Sequence, residues 1–174
     1  MQKFQYKIIH ITFAALVVTL FLLATPTKSF ADEISTSEIK ASWIDTIVGW
    51  LNWKNRPKSG ITICAVGRDK VYMYLKRNNQ KFAIRNKSTT DDFKECNILY
   101  ISESEQEYYM NMLDEINGTP GIVTISSIGG FAKHGGGIEF VIKKKASLII
   151  NLKVIKAAKV AVDDELYGWV QTIN

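Results

Sequence analysis

His134 is the residue whose surroundings suggest chemistry most directly, because an imidazole in a glycine-rich loop can serve as a catalytic base. A base of this kind activates a nucleophile, yet no cysteine lies near His134 in the sequence and no serine has a context typical of a nucleophile. The chain also has no G-x-S-x-G elbow, Walker loop or zinc-protease motif. Glycine-rich loops more often serve backbone geometry. We therefore predict that the protein is not an enzyme, and catalysis through His134 is the less favoured alternative.

Two further groups of residues have the chemistry of ligand sites. The acidic run Asp163-Asp164-Glu165 suits a solvated helix face better than a metal site, and the two cysteines and two histidines are too far apart in the sequence for zinc. The backbone N–H groups of the glycines between Gly129 and Gly137 could cradle an anion, although their spacing matches no dinucleotide fingerprint. We predict no metal and no cofactor. The alternative function is a small-ligand-binding module of another signalling or transport system, with its ligand near this loop.

The first 31 residues are typical of a secretory signal peptide. Lys3 and Lys7 precede an apolar run over residues 8–24, and Ser29-Phe30-Ala31 supplies the small residues of a cleavage site. An uncleaved anchor helix is the alternative, because the apolar run is at the lower limit of the length that spans a bilayer. We predict export with cleavage near Ala31, which leaves a single domain over residues 32–174.

Removal of this segment changes the charge of the protein. The segment contains three lysines and no acidic residue, so the formal net charge falls from +5 to +2. A charge this small gives little reason to expect a nucleic acid as partner. The basic run Lys143-Lys144-Lys145 lies where a solvated hairpin turn is expected.

Cys64 and Cys96 are the only cysteines of the chain. In an exported protein an even pair is first interpreted as a disulfide, and closing a loop of this length would stabilise the fold by about 3–4 kcal/mol in the chain-entropy model. Two buried free thiols that pack as small hydrophobic groups are the alternative.

The pattern of apolar residues predicts strands separated by helices. The first helix is predicted over Glu33–Asn55, capped by Ser35 with Glu38 or starting later at Ser37. The other predicted elements are strands at 61–66, 81–86, 96–101 and 122–125, helices at 68–76 and from Ser102 to about 116, and a closing helix at 152–172.

A hairpin is predicted between the strand at 122–125 and the closing helix at 152–172. Ile138, Phe140 and Ile142 fall on one face of a strand, and the apolar run Leu148-Ile149-Ile150 follows after a lysine turn. Helix-separated strands favour parallel pairing, whereas the hairpin is antiparallel. The predicted fold is α/β: a mixed β-sheet flanked by helices on both faces, with a C-terminal antiparallel hairpin and a closing helix.

Tryptophans are concentrated in the predicted first helix. Trp43, Trp50 and Trp53 are more than a core normally requires on one short helix. A large aromatic core contact is the favoured interpretation, and a partly exposed partner surface, to which Trp169 would also belong, is the alternative.

The sequence resembles the YfiR-like family of periplasmic proteins over nearly the whole mature chain. The resemblance rests on Lys40-Ala41 with Trp53, on the segment Cys64-Ala65-Val66-Gly67, and on Cys96 at the start of a strand. It rests above all on a pattern G-F-A-x-x-G-G-x-I-x-F followed by a hairpin and I-N, which is matched by Gly130, Phe131, Ala132, Gly135, Gly136, Ile138, Phe140, Ile150 and Asn151.

This resemblance implies regulation in the periplasm. Members of the family look like repressors that bind the periplasmic sensor region of an inner-membrane diguanylate cyclase and hold it inactive, which limits cyclic di-GMP and biofilm formation. An OmpA-like outer-membrane lipoprotein can sequester the repressor, and members tend to form homodimers. Cys64 and Cys96 match one cysteine pair of the family, whereas a second pair found in some members is absent here.

Overall fold

The computed structural model of the protein describes residues 30–54, 60–143 and 146–173. Residues Ile34–Asn174 form one compact unit, and apart from the first four residues of the first helix the architecture below belongs to it. The predicted signal peptide lies outside the described residues except for its last two positions, and it stays a prediction. In the described parts of the chain, no helix is both long enough and apolar enough to cross a membrane.

Helices and strands alternate along most of this unit. In chain order the elements are α1 Phe30–Trp50, β1 Leu51–Trp53, β2 Thr62–Val66, α2 Val71–Asn78, β3 Ala83–Lys87, β4 Ile98–Ile101, a 3₁₀ turn Glu103–Glu105, α3 Tyr109–Ile116, β5 Val123–Ser126, β6 Ile138–Ile142, β7 Ala146–Asn151, α4 Leu152–Ala157, β8 Val160–Val162, α5 Asp164–Tyr167 and β9 Val170–Ile173.

Seven of the strands form one mixed sheet in the order β3-β2-β4-β5-β6-β7-β9. The strands from β3 to β6 in this order are parallel, β6 and β7 are the predicted antiparallel hairpin, and β9 pairs in parallel with β7. The hairpin register places Ile138 opposite Ile150. The predicted fold class, including the hairpin, is confirmed.

Both faces of the sheet are covered, and the alternation of side chains along the strands explains how. On β2, Ile63 belongs to one hydrophobic cluster together with side chains of α1, α2 and α4, whereas Cys64 belongs to a second cluster with side chains of α3. On β4, Tyr100 belongs to the first cluster and Ile101 to the second. Strands buried on both faces are apolar throughout, as expected for a parallel sheet.

The first helix differs from the prediction at both ends. It already includes Ser35 and Ser37, so neither residue caps it, and it ends at Trp50 instead of Asn55. The next three residues form β1, whose backbone pairs antiparallel with β8. Leu51 and Trp53 therefore lie in a strand, because pairing with the distant segment Val160–Val162 overrides the helical spacing.

The predicted closing helix over 152–172 is wrong in extent. Only α4 and the single turn α5 are helical, and strands β8 and β9 occupy the remainder. Lys159 has a left-handed backbone with φ 58°, which ends the helix, and the β-branched residues Val160 and Val162 then pair with β1. Asp163 caps α5 by accepting the N–H of Glu165.

The other predicted elements are present with ends displaced by a few residues. Ser102 is the predicted cap, and its side chain accepts the N–H of Ser104, but it caps the 3₁₀ turn. The α-helix that follows begins only at Tyr109. Cys96 lies just before β4 instead of inside the strand.

Candidate functional site

The glycine-rich loop is built around the buried carboxylate of Glu139. This side chain, only 6% exposed, projects from β6 and accepts the N–H of Gly130 at 3.0 Å and the N–H of Ala132 at 3.1 Å, one on each oxygen. A carboxylate that accepts backbone N–H groups is the internal equivalent of a bound anion. The loop thus carries its own anion, supplied by the strand beneath it.

Other amides of the loop are also occupied within the protein. Gly137 donates to the hydroxyl of Thr124 at 2.8 Å, Gly136 to the carbonyl of Phe131 at 2.9 Å, and His134 to the carbonyl of Gly130 at 3.0 Å. An external anion would have to compete with these bonds and with Glu139. The geometry therefore gives no support to the alternative of a ligand site at Gly129 to Gly137.

Steric and backbone constraints explain the glycines of the motif. A Cβ at Gly136 would lie 2.2 Å from the ring of Phe131, which is fully buried beside it. Gly130 and Gly135 have φ values of 79° and 101°, a region that other residues rarely adopt. These positions serve the shape of the loop.

Asn151 ties the loop to the hairpin and to α4. Its Nδ2 donates to the carbonyl of Ala132 at 2.8 Å, its Oδ1 accepts the N–H of Val154 at 3.1 Å, and its own N–H donates to Gly137 at 2.8 Å. One side chain therefore caps a helix and closes a loop. The motif residues Ile138 and Phe140 lie in the core beneath. The motif is a structural unit.

His134 is an exposed residue of the glycine-rich loop. Its Nδ1 lies 3.2 Å from the hydroxyl of Tyr109 on α3, and its ring covers Gly130. The contact joins the loop to α3, so His134 helps to hold the loop in position.

Cys64 and Cys96 form a disulfide, as predicted, and the alternative of two free thiols is wrong. Both residues are buried in the cluster that includes Phe93, with their Cα atoms 5.7 Å apart. The bond joins β2 to the residues that lead into the neighbouring strand β4, and it encloses α2 and β3.

The carboxyl ends of β2 and β4 are where an open parallel sheet most often binds a ligand. From β2 the chain passes to β3 on one side, then crosses to β4 on the other side, so the strand order reverses between β2 and β4. In this protein the crevice is filled. A Cβ at Gly67 would lie 2.3 Å from Cβ of Ser102, and the N–H of Arg68 donates to the hydroxyl of Ser104.

A buried polar network lies at the same edge of the sheet. The hydroxyl of Tyr100 donates to Asp69, whose other oxygen accepts the N–H of Val71. Burial, followed by the charge of Asp69, raises the pKa of Tyr100 well above its ordinary value. Tyr100 therefore stays protonated as a donor. Sequence reasoning did not single out either residue, since a tyrosine in an apolar strand carries no signal of its partner.

Lys40 forms a separate ion pair with Glu103. Its ammonium, on a residue only 6% exposed, lies 3.2 Å from Glu103. Burial works against ionisation of Glu103, but the nearby Ser127 hydroxyl and the Lys40 ammonium outweigh it, so the pKa of Glu103 is lowered. Ser127 Oγ itself lies outside hydrogen-bonding geometry in the described structure.

We expect the contribution of Glu103 to stability to be fully present above its unfolded pKa of 4.5. The pKa is lower in the folded protein, so the contribution is lost as the pH falls through the folded value. In Glu103→Gln, the melting temperature should therefore fall less than in the wild type between about pH 6 and about pH 3. Exposed Glu115 provides the control, and Glu115→Gln should follow the wild-type curve. Identical curves for wild type and Glu103→Gln would contradict the assigned shift.

The four tryptophans differ in their surroundings. Trp43, Trp50 and Trp53 are partly buried and pack against the larger core, and the indole N–H of Trp53 donates to the carbonyl of Gly121 at 2.8 Å. Trp169 is 69% exposed and follows the exposed Tyr167. Of the residues assigned to a partner surface, Trp169 is the one that offers its ring to solvent.

The family described as YfiR/HmsC-like matches residues 37–168, which is most of the chain and includes the disulfide, the glycine-rich loop and Asn151. Trp169 and β9 follow the matched region. No curated protein matches the chain.

Proposed function

Because the chain belongs to the YfiR/HmsC-like family, we propose that it is an exported, non-enzymatic regulator of cyclic di-GMP signalling. It binds the periplasmic sensor region of an inner-membrane diguanylate cyclase and holds the enzyme inactive. Less cyclic di-GMP is then made, and biofilm formation is restrained. The family match over residues 37–168 is the observation that carries this proposal.

The structure is compatible with a protein that acts by binding. The family is regulatory in character instead of catalytic. The loop amides around His134 bond to groups of the protein itself, and the crevice between β2 and β4 is filled by Ser102 and Ser104. Neither place is arranged around an open substrate site, so the surface of the domain is the natural point of contact with partners.

The proposal includes the location and the assembly of the protein. The signal peptide is cleaved near Ala31, and the mature chain resides in the periplasm. There it forms a homodimer, and an OmpA-like outer-membrane lipoprotein sequesters it when the cyclase is to be released. Exposed Trp169 is the proposed aromatic anchor of the partner surface. Tryptophans that become buried on complex formation contribute much of the binding energy in many protein interfaces.

A deletion strain tests the function. Deletion of the gene should raise cellular cyclic di-GMP and surface attachment, and expression of the wild-type protein should restore both. Trp169→Ala should accumulate in the periplasm and melt like the wild type, because an exposed ring contributes little to the core, yet it should fail to restore repression.

Met73 provides a matched control, because it is also largely exposed, at 65%, but lies on α2. Met73→Ala should restore repression fully. If the deletion strain shows no change in cyclic di-GMP or attachment, the assignment to a diguanylate cyclase is refuted. If Trp169→Ala restores normal levels as fully as Met73→Ala does, the partner surface is assigned wrongly but the function stands.

A further inference from the structure

A basic groove lies beside the two-stranded sheet of β1 and β8. It has a volume of about 780 Å³, and its lining includes Asn52, Trp53, Lys54, Lys156, Lys159 and Ala161. These residues come from β1 and the residue after it, from α4, and from β8 and the residue before it. Its lining shares no residue with the glycine-rich loop, the disulfide or Trp169.

The pairing of the two strands explains why the lysines cluster. Trp53 is opposite Val160, so Lys54, which follows β1, leaves the sheet at the end where Lys159 enters it. Lys156 lies one helical turn earlier, on α4. All three side chains are exposed. Segments far apart in the sequence thus bring three positive charges to one end of the sheet.

These charges are not neutralised within the described structure. None of the ion pairs among the described residues involves Lys54, Lys156 or Lys159. The described residues that line the groove include no carboxylate. The field in the groove therefore attracts negative charge, and field lines concentrate in a concave site of one sign.

The groove also offers a fixed apolar surface. The indole N–H of Trp53 is held by the carbonyl of Gly121, so the ring has a set orientation and presents carbon atoms to the groove. A ligand that suits both features has negative charge together with apolar groups.

Lys159 occupies a backbone position that favours glycine. Its φ is 58°, directly after α4, where a left-handed residue commonly ends a helix. Residues other than glycine rarely adopt this conformation. A lysine at this strained position at the mouth of a basic groove is an observation that points to a role for its charge.

We propose that the groove binds an acidic segment of a partner protein, with carboxylates at the three lysines and an apolar side chain against Trp53. An acidic segment with apolar side chains supplies both the negative charge and the apolar contact for which the lining is suited. The inference rests on the proposed function only for the identity of that partner. The preference of the groove for an acidic segment is a property of this protein alone.

The test uses the protein purified from the periplasm and a fluorescein-labelled octapeptide of alternating glutamate and valine. Fluorescence anisotropy should show saturable binding that weakens as salt is raised, and a lysine–valine octapeptide should not bind. Lys156→Glu should weaken binding about tenfold, which corresponds to about 1.4 kcal/mol. Lys159→Gly should weaken it about threefold while the melting temperature is kept or raised, because glycine suits the left-handed backbone.

Exposed Lys81, which lies before β3, provides the control for net charge. Lys81→Glu should change binding by less than about twofold, since it leaves the groove intact. An equal loss in Lys81→Glu and Lys156→Glu, or no binding of the acidic peptide, would overturn the proposal. Binding to phosphatidylglycerol vesicles but not to the peptide would also overturn it, in favour of a membrane. If the acidic peptide binds as predicted in a protein that fails to repress, only the proposed function is refuted.

Discussion

Replacing Cys64 and Cys96 together with alanine is expected to lower the free energy of unfolding by about 3–4 kcal/mol. The bond closes a loop between residues separated by 32 positions, so its loss lets the unfolded chain adopt many more conformations. For a domain of this size the melting temperature should fall by about 10 °C. Differential scanning calorimetry of the two proteins purified from the periplasm measures both quantities.

Reduction of the wild type provides an internal control for this result. A reductant should lower the melting temperature of the wild type by a similar amount and leave the double variant unchanged. Both cysteines are buried, so a reductant acts mainly through the unfolded chain and must be present throughout the scan. Two titratable thiols in denatured, non-reduced protein from the periplasm would contradict the disulfide.

Glu139→Ala is expected to be about as damaging, with a loss of about 3–5 kcal/mol in the free energy of unfolding. The carboxylate accepts the N–H groups of Gly130 and Ala132, and each hydrogen bond to a charged group is worth about 1.5–3 kcal/mol. Alanine leaves both donors without their acceptor next to the buried residues of the loop. The free energy of unfolding of Glu139→Gln should lie between those of the wild type and Glu139→Ala, because one amide oxygen can satisfy only one of the two N–H donors.

Urea denaturation of the three proteins measures this series. Exposed Glu115 on α3 is the matched control, and Glu115→Ala should change the free energy of unfolding by less than about 0.5 kcal/mol. A Glu139→Ala protein as stable as Glu115→Ala would show that the loop is not organised by the buried carboxylate.

The central sheet and the hairpin are predictable because local pattern and tertiary structure agree there. Ile138 and Phe140 alternate as a strand requires, and the register observed across the hairpin buries both. The C-terminal region is different. Its apolar residues fit a helical period, but the left-handed backbone of Lys159 and the pairing of β8 with β1 depend on a segment far away in the sequence.

The resemblance located the glycine-rich loop, but the reason for its shape could not be read from the motif. Glu139 alternates with Ile138 and Phe140 and would ordinarily be assigned to solvent. Both faces of this sheet are covered, however, so a carboxylate on the second face must find partners, and the loop supplies them. An acidic residue inside a strand buried on both faces is the signal that could have identified this anchor.

The buried lysine of α1 illustrates the same principle. Lys40 lies within an amphipathic helix, where a charged residue is normally placed toward solvent, yet it is buried and paired with Glu103. The pairing depends on how α1 packs beside the carboxyl end of β4, which helical periodicity cannot provide. Contacts between distant segments thus determine the polar networks of this protein.

The most direct measurement of the central claim is the diguanylate cyclase activity of detergent-solubilised membranes from the deletion strain. Purified protein should lower the rate at which GTP is converted to cyclic di-GMP, with a saturable dose dependence, and Trp169→Ala should have little effect. This result would show that the protein represses a membrane cyclase by direct interaction. A rate that stays unchanged at every concentration of the wild-type protein would contradict the account.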